Sequence, residues 1–200
     1  CAKTNLNTIV VSMPIKQIKE QHNLSIKHGE WLEQQFNNVN HEIINLNDTF
    51  NNIQNVFTKY KYEHLHSFAN TRSRLRMLTL YQIAGSTNGL VVGTGNKVED
   101  FGVGFYTKYG DGGVDISPIG DCLKTQVWDM AKKLNINKKI INAKPTDGLW
   151  DDGRTDEDQL KGLNYKELEH AMMISEQKDN SNLDSDEKKL LKKYISIRTP

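Results

Sequence analysis

Apolar positions divide the 200-residue chain into short extended runs and longer runs with helical spacing. Residues 8–13 (TIVVSM) form a β-branched apolar run stopped by Pro14, the pattern of a strand buried on both faces. Ile15, Ile18, Leu24, Ile26, Trp31, Leu32 and Phe36 then recur among Lys, Glu and Gln, which predicts one or two amphipathic helices. Residues 37–40 break that spacing, and residues 41–46 (HEIINL) predict a second short strand. Asp48 and Thr49 are cap candidates for a helix carrying Phe50, Ile53, Val56 and Phe57. A longer helix is expected over residues 67–83, ended by Gly85.

In the second half, residues 89–94 (GLVVGT) read as the clearest strand, and nine of the 14 glycines fall between Gly85 and Gly113, which marks a loop beyond it. A short extended piece (114–119), a helix (124–134), a polar segment (145–162) and helices over 165–174 and 183–194 follow. Strands alternating with helices predict an α/β domain with a mainly parallel sheet. There is no internal repeat.

Charge and hydropathy exclude some classes. With 26 Lys+Arg against 25 Asp+Glu, the net charge of +1 lacks the positive field of a general nucleic-acid binder. Mean hydropathy is −0.65, and no run approaches the roughly 20 apolar residues of a membrane span. Cys1 and Cys122 are far apart, without a CxxC or Cys/His cluster, which points to a reducing cytoplasm and no structural zinc. The six histidines show no metal-like spacing. The length suits one domain, and the opening Cys1-Ala2-Lys3 reads as the interior of a longer protein.

In open parallel sheets ligands bind beyond the carboxyl ends of strands, so the loop after residues 89–94 is the first place for chemistry. It carries Lys97, Glu99, Asp100, Lys108, Asp111 and Asp115 among glycines. That set suits a polyphosphate with magnesium, because glycine admits backbone amides, lysine neutralises charge and a carboxylate holds a hard cation. A long surface loop with solvated charges has the same composition. The dinucleotide fingerprint fails, since Val98 stands where the third glycine after Gly93 and Gly95 is required. Arg72 and Arg76 lie at i,i+4 with Arg74 on another face; they form either a phosphate or carboxylate grip or a face whose partners come from elsewhere in the fold. Lys124 opens a helix, where its charge opposes the dipole unless an anion sits at that end; the ordinary alternative is a lysine reaching along the surface. Residues 155–158 (TDED) match a capping box, and Trp150 in its polar stretch reads as cover for a core edge.

Residues 70–77 (NTRSRLRM), residues 93–115 (GTGNKVEDFGVGFYTKYGDGGVD), Ser117-Pro118-Ile119 with Lys124, and residues 145–158 (PTDGLWDDGRTDED) together resemble bacterial NAD synthetase, of the ATP pyrophosphatase superfamily. The resemblance spans nearly the whole chain. It implies a Rossmann-like, adenine nucleotide alpha hydrolase-like parallel sheet flanked by helices, and a homodimer in the cytoplasm with no nucleic-acid or membrane partner. It implies a ligase in which ATP, with Mg2+, adenylates the nicotinate carboxylate of deamido-NAD, pyrophosphate leaves, and ammonia displaces AMP to give NAD. By the same resemblance Thr94, Lys124 and Thr146 align with ATP contacts, Glu99 with the magnesium ligand, and Arg74, Lys108 and Asp115 with deamido-NAD contacts. The segment 147–162 is the expected lid over the adenylate.

Two departures accompany the resemblance. The family's SGGxDS pyrophosphate loop does not occur in these 200 residues, and the sequence stops at Arg198-Thr199-Pro200, before a His-Lys pair that in the family touches deamido-NAD. Residues 1–200 are therefore expected to be a single NAD synthetase domain incomplete at both ends. The spacing from Glu99 to Lys108 is also one residue longer than in some members. The alternatives are a related ATP pyrophosphatase adenylating another substrate and a non-catalytic derivative of the fold.

Overall fold

A computed structural model describes residues 1–177 and 181–198, so Thr199 and Pro200, at the expected C-terminal break, lie outside the described residues. The chain is α/β, with a parallel strand pair and flanking helices. It forms two compact units, Cys1–Gly89 with Gly148–Gly153, and Leu90–Asp147 with Arg154–Pro200.

The first unit is built on a strand–helix–strand crossover. Strand β1 (Thr8–Ser12) runs parallel to β2 (Val39–Ile43) in the register Thr8 to Val39 through Ser12 to Ile43, and helix α1 (Lys19–Gln35) packs on both. Strand β2 begins two residues earlier than expected and ends at Ile43. Val39 is its buried residue, and beyond Ile43 the amides of Ile44 and Leu46 still reach the carbonyls of Ser12 and Pro14 while Asn45 Oδ1 turns the chain by accepting from the Asn47 amide at 2.9 Å. Strand β1 is not buried on both faces. Only Ser12 is fully buried and Ile9 is partly exposed, because among the described residues α1 is the helix that packs on β1.

Helix α2 (Asn47–Lys59) starts one residue before Asp48, which sits in the first turn facing the positive dipole end; neither Asp48 nor Thr49 is the cap. Helix α3 (Leu65–Thr87) runs through Gly85 and closes at Asn88, in the left-handed conformation at φ 55°, with the Gly89 amide returning to the Ala84 carbonyl. Ile15, Leu46, Phe50, Phe68 and Leu75 form the core, with Phe50 and Phe68 meeting edge to face at 6.3 Å.

In the second unit residues 89–94 do not form a strand. Val92 makes one parallel bridge to Ile116, and the Val91 amide goes instead to the Asp115 carboxylate at 2.7 Å, so a side chain takes the donor a ladder would use. A π-helical turn (Val98–Val103) follows, then α4 (Lys124–Lys133), α5 (Lys138–Ile141), α6 (Asp156–Gln159), α7 (Tyr165–Ser175) and α8 (Ser185–Arg198). Val98, Val103, Leu160, Leu168, Met172 and Tyr194 are the centre of the core joining this turn to α7 and α8. The Thr155–Asp158 capping box forms as expected.

One close contact holds α1 to β2. A Cβ built at buried Gly29 would lie 2.3 Å from the His41 ring, whose Nε2 is fixed 2.9 Å from Ser12 Oγ. Gly29→Ala therefore displaces either the helix or the ring, and thermal unfolding should show destabilisation of about 1–3 kcal/mol, as expected for overpacking; an unchanged Tm would contradict this packing.

His28, stacked on Trp31 at 5.7 Å, is held below its ordinary 6.5 by burial first and then by His41. A lowered histidine pKa means that the unfolded chain binds more protons between the two values, so this group's stabilising contribution is complete above pH 6.5 and is lost as pH falls below it. The Tm of the parent should consequently drop more steeply than that of His28→Gln when the pH is lowered from 7.5 to 5; parallel curves would refute the linkage.

Candidate active site

The site begins with a buried asparagine. Asn96 is 1% exposed, and its Oδ1 accepts the amides of Val98 at 3.1 Å and Glu99 at 3.2 Å, which turns the chain into the π-helical turn. Val98 and Val103 pin the turn in the core, and Gly102 sits where a Cβ would approach Met172 Sδ at 3.3 Å. Such single π turns are frequent at functional sites. This one presents Glu99 in its first turn, half-buried.

Glu99 Oε1 accepts from Lys124 Nζ at 2.7 Å and from the Tyr165 hydroxyl at 2.5 Å. The ion pair is largely shielded, with the lysine and glutamate side chains 20% and 16% exposed, so it is screened less than a surface pair. Lys124 Nζ also stands 4.8 Å from the Tyr165 ring centroid, and Trp128 meets that ring edge-on at 5.9 Å.

The phenol oxygen lies 2.7 Å from Asp156 Oδ2 as well. Burial, followed by the negative charges of Glu99 and Asp156, pushes the Tyr165 phenol well above its ordinary value, so it remains a donor. It has one proton and two carboxylate neighbours, so the second contact needs a proton of its own. Burial is the main influence on Asp156 and raises it, outweighing the Tyr165 hydrogen bond that lowers it, with Glu99 adding to the rise. Asp100 is raised in the same way, by burial and then by Glu99 and Asp111. The site gathers three carboxyl groups around one phenol, with Lys124 paired to the first of them.

Lys124 opens α4, and the anion its dipole position asks for is a carboxylate of the protein. Glu169 of α7, itself buried, accepts the Thr125 amide at 2.9 Å and the Thr125 hydroxyl at 2.8 Å.

Of the residues expected from sequence, Glu99 and Lys124 are in direct contact. Thr94, Lys108, Asp115 and Thr146 belong to the same compact unit but have other neighbours. Thr94 is exposed, Lys108 rests 5.0 Å from the Tyr109 ring, Asp115 braces the Val91 amide, and the Thr146 hydroxyl donates to the Arg154 carbonyl at 3.0 Å. Arg74 lies on an exposed face of α3 in the first unit. Its neighbours have structural partners there: buried Arg72 reaches Asp151 at 2.8 Å, and Arg76 reaches the Met13 carbonyl and Gln17 Oε1. Trp150, in the same unit, has its ring 5.9 Å from that of His66. Sequence reasoning missed Tyr165, Asp156 and Glu169. Asp156 was legible only as part of a capping box, and the other two only as helix positions.

Residues 2–197 match the family described as NAD synthase. The chain is 41% identical over 143 residues to an NH(3)-dependent NAD(+) synthetase of Carboxydothermus hydrogenoformans, covering 70% of this chain and 57% of that protein. It is 48% identical over 108 residues to the protein of the same name from Archaeoglobus fulgidus, covering 54% and 42%. The chain thus spans about half the length of the curated relatives it matches. Among solved structures, NMN synthetase from Francisella tularensis superposes with TM-score 0.81 at 29% identity, over 98% of this chain and 75% of that one. NH3-dependent NAD synthetase from Campylobacter jejuni gives 0.65 at 26%, over 94% and 72%. The fold is that of these enzymes, the adenine nucleotide alpha hydrolase-like parallel sheet flanked by helices. With its ordered sequence motifs, the shared fold and a family match running from residue 2 to residue 197, the chain belongs to the NAD synthase family.

Proposed function

We propose that this protein makes NAD by ATP-dependent amidation of deamido-NAD, with ammonia as the nitrogen source and AMP and pyrophosphate as products. The observation that carries the reading is the Glu99–Lys124 pair at the head of α4, where a carboxylate and an ammonium stand together in a half-buried site. Lys124, beside Thr94 and Thr146 as ATP contacts, supplies positive charge for phosphate oxygens. Arg74, Lys108 and Asp115 are assigned to deamido-NAD, where the two cations suit its phosphates and carboxylate. No helix among the described residues is long and apolar enough to cross a membrane. A cytoplasmic homodimer is the setting proposed.

Magnesium fits this donor set in one manner. Among the described residues no three His, Cys, Asp or Glu side chains group as a metal cage; Glu99 would hold the ion by one hard oxygen, and ATP phosphates would share its shell, the usual arrangement for magnesium. Bound there, the ion supplies charge neutralisation at the phosphates during departure of pyrophosphate. Lys124, which gives one donor to Glu99, has two more that would reach a phosphate oxygen while the carboxylate stays in place.

The Francisella structure named NMN synthetase supports a second reading, in which the same carboxylate activation acts on the mononucleotide instead. Formation of NAD or NMN in the native protein, with deamido-NAD and nicotinate mononucleotide offered in parallel with ATP, Mg2+ and ammonium, separates the two. Higher kcat/KM for deamido-NAD is expected, and preference for the mononucleotide would overturn the first reading.

Glu99→Gln should reduce turnover at least about tenfold, the loss of one charged contact of about 1.5–3 kcal/mol, and raise the Mg2+ requirement. Normal turnover with normal Mg2+ dependence would remove Glu99 from the metal site. Lys108→Ala should raise KM chiefly for deamido-NAD and Lys124→Ala chiefly for ATP, each by about tenfold; equal effects on both substrates would refute the division of roles.

A further inference from the structure

We propose that Tyr165 is a positioning residue for the metal-binding carboxylate: with Lys124 it occupies Oε1 of Glu99 and leaves Oε2 as the oxygen for a divalent cation. The inference rests on the reading of Glu99 as the magnesium ligand. Both donors, Lys124 Nζ and the Tyr165 hydroxyl, converge on Oε1, and Oε2 has no hydrogen-bond partner among the described residues. A carboxylate engaged on one oxygen is held for monodentate binding, which suits a small octahedral ion sharing its shell with phosphates.

Tyr165 is fixed for this task from three sides. Its ring is buried between Trp128 and the Lys124 ammonium, its hydroxyl is oriented by Asp156 at 2.7 Å, and it heads α7, whose Asn164 cap accepts the Glu167 amide. Ring and hydroxyl divide the work. The ring face holds Lys124 by cation–π attraction, and the hydroxyl holds Glu99. Partners that orient a metal ligand typically change metal affinity 10–100-fold when removed.

Tyr165→Phe keeps the ring and removes only the hydroxyl. In the native protein, Mn2+ binding in the presence of saturating ATP is followed by electron paramagnetic resonance, alongside ATP affinity without metal and the Mg2+ dependence of NAD formation. Tyr165→Phe should weaken Mn2+ 10–100-fold and raise the half-activating Mg2+ concentration, with metal-free ATP affinity within about twofold of the parent. Tyr165→Leu, which also removes the ring, should lose ATP affinity as well. Tyr165→Phe leaves Asp156 without its partner, so Tyr165→Phe/Asp156→Leu, which leaves no lone buried carboxylate, guards against a folding defect and should show the same Mn2+ loss. Unchanged Mn2+ affinity in folded Tyr165→Phe or in the double variant overturns the proposal, as does Mn2+ binding that is insensitive to Glu99→Gln. A parent that binds Mn2+ through Glu99 and responds to Tyr165→Phe, yet forms neither NAD nor NMN, would uphold the positioning role and reject the proposed reaction.

Discussion

A single carboxylate oxygen organises the second unit. Glu99 Oε1 collects a lysine from α4 and a phenol from α7, while the backbone that carries Glu99 is set by buried Asn96. Charged and polar groups half-removed from water are stable only when paired, so these three segments are bound to one arrangement more tightly than apolar packing alone would bind them. The apolar core beneath, around Leu160, Leu168 and Tyr194, supplies most of the burial and holds the segments close enough for the pairing.

The same economy governs the head of α4. A lysine in the first helical turn is unfavourable by itself, yet Glu169 satisfies the helix N-terminus from a neighbouring helix and Glu99 neutralises the lysine. With both anions in place, neither the helix end nor the lysine is left uncompensated. The desolvation cost of this ion pair is moderate, because the pair is shielded but not fully dry.

The first unit shows a different constraint, of shape and not of charge. The crossover β1–α1–β2 brings α1 so close to β2 that Gly29 faces the His41 ring, and Ser12 holds that ring from the end of β1. Of the two readings of the arginine triplet, Arg72 and Arg76 follow the one with partners from elsewhere in the fold, namely Asp151, Gln17 and a main-chain carbonyl, while Arg74 stands on the exposed face.

Much of this was legible in the sequence. The β-branched run before Pro14, the helical spacing of apolar residues and the Thr155–Asp158 box are local patterns, and local chain geometry determined them, whereas Glu99 and Lys124 stood out through the motifs that carry the family resemblance. Residues 89–94 look like a strand by the same local criteria but form one bridge, because the Asp115 side chain, 24 residues away, takes the amide that a ladder would need. Tyr165, Asp156 and Glu169 had no sequence signal as site residues. Their roles arise from α6 and α7 lying against the π-helical turn and α4, and no periodicity encodes which side chains meet across 66 residues. Sequence by itself determined which elements form and which residues carry charge; only the tertiary structure decided which charges are paired, because burial makes an unpaired group costly and proximity in space supplies its partner.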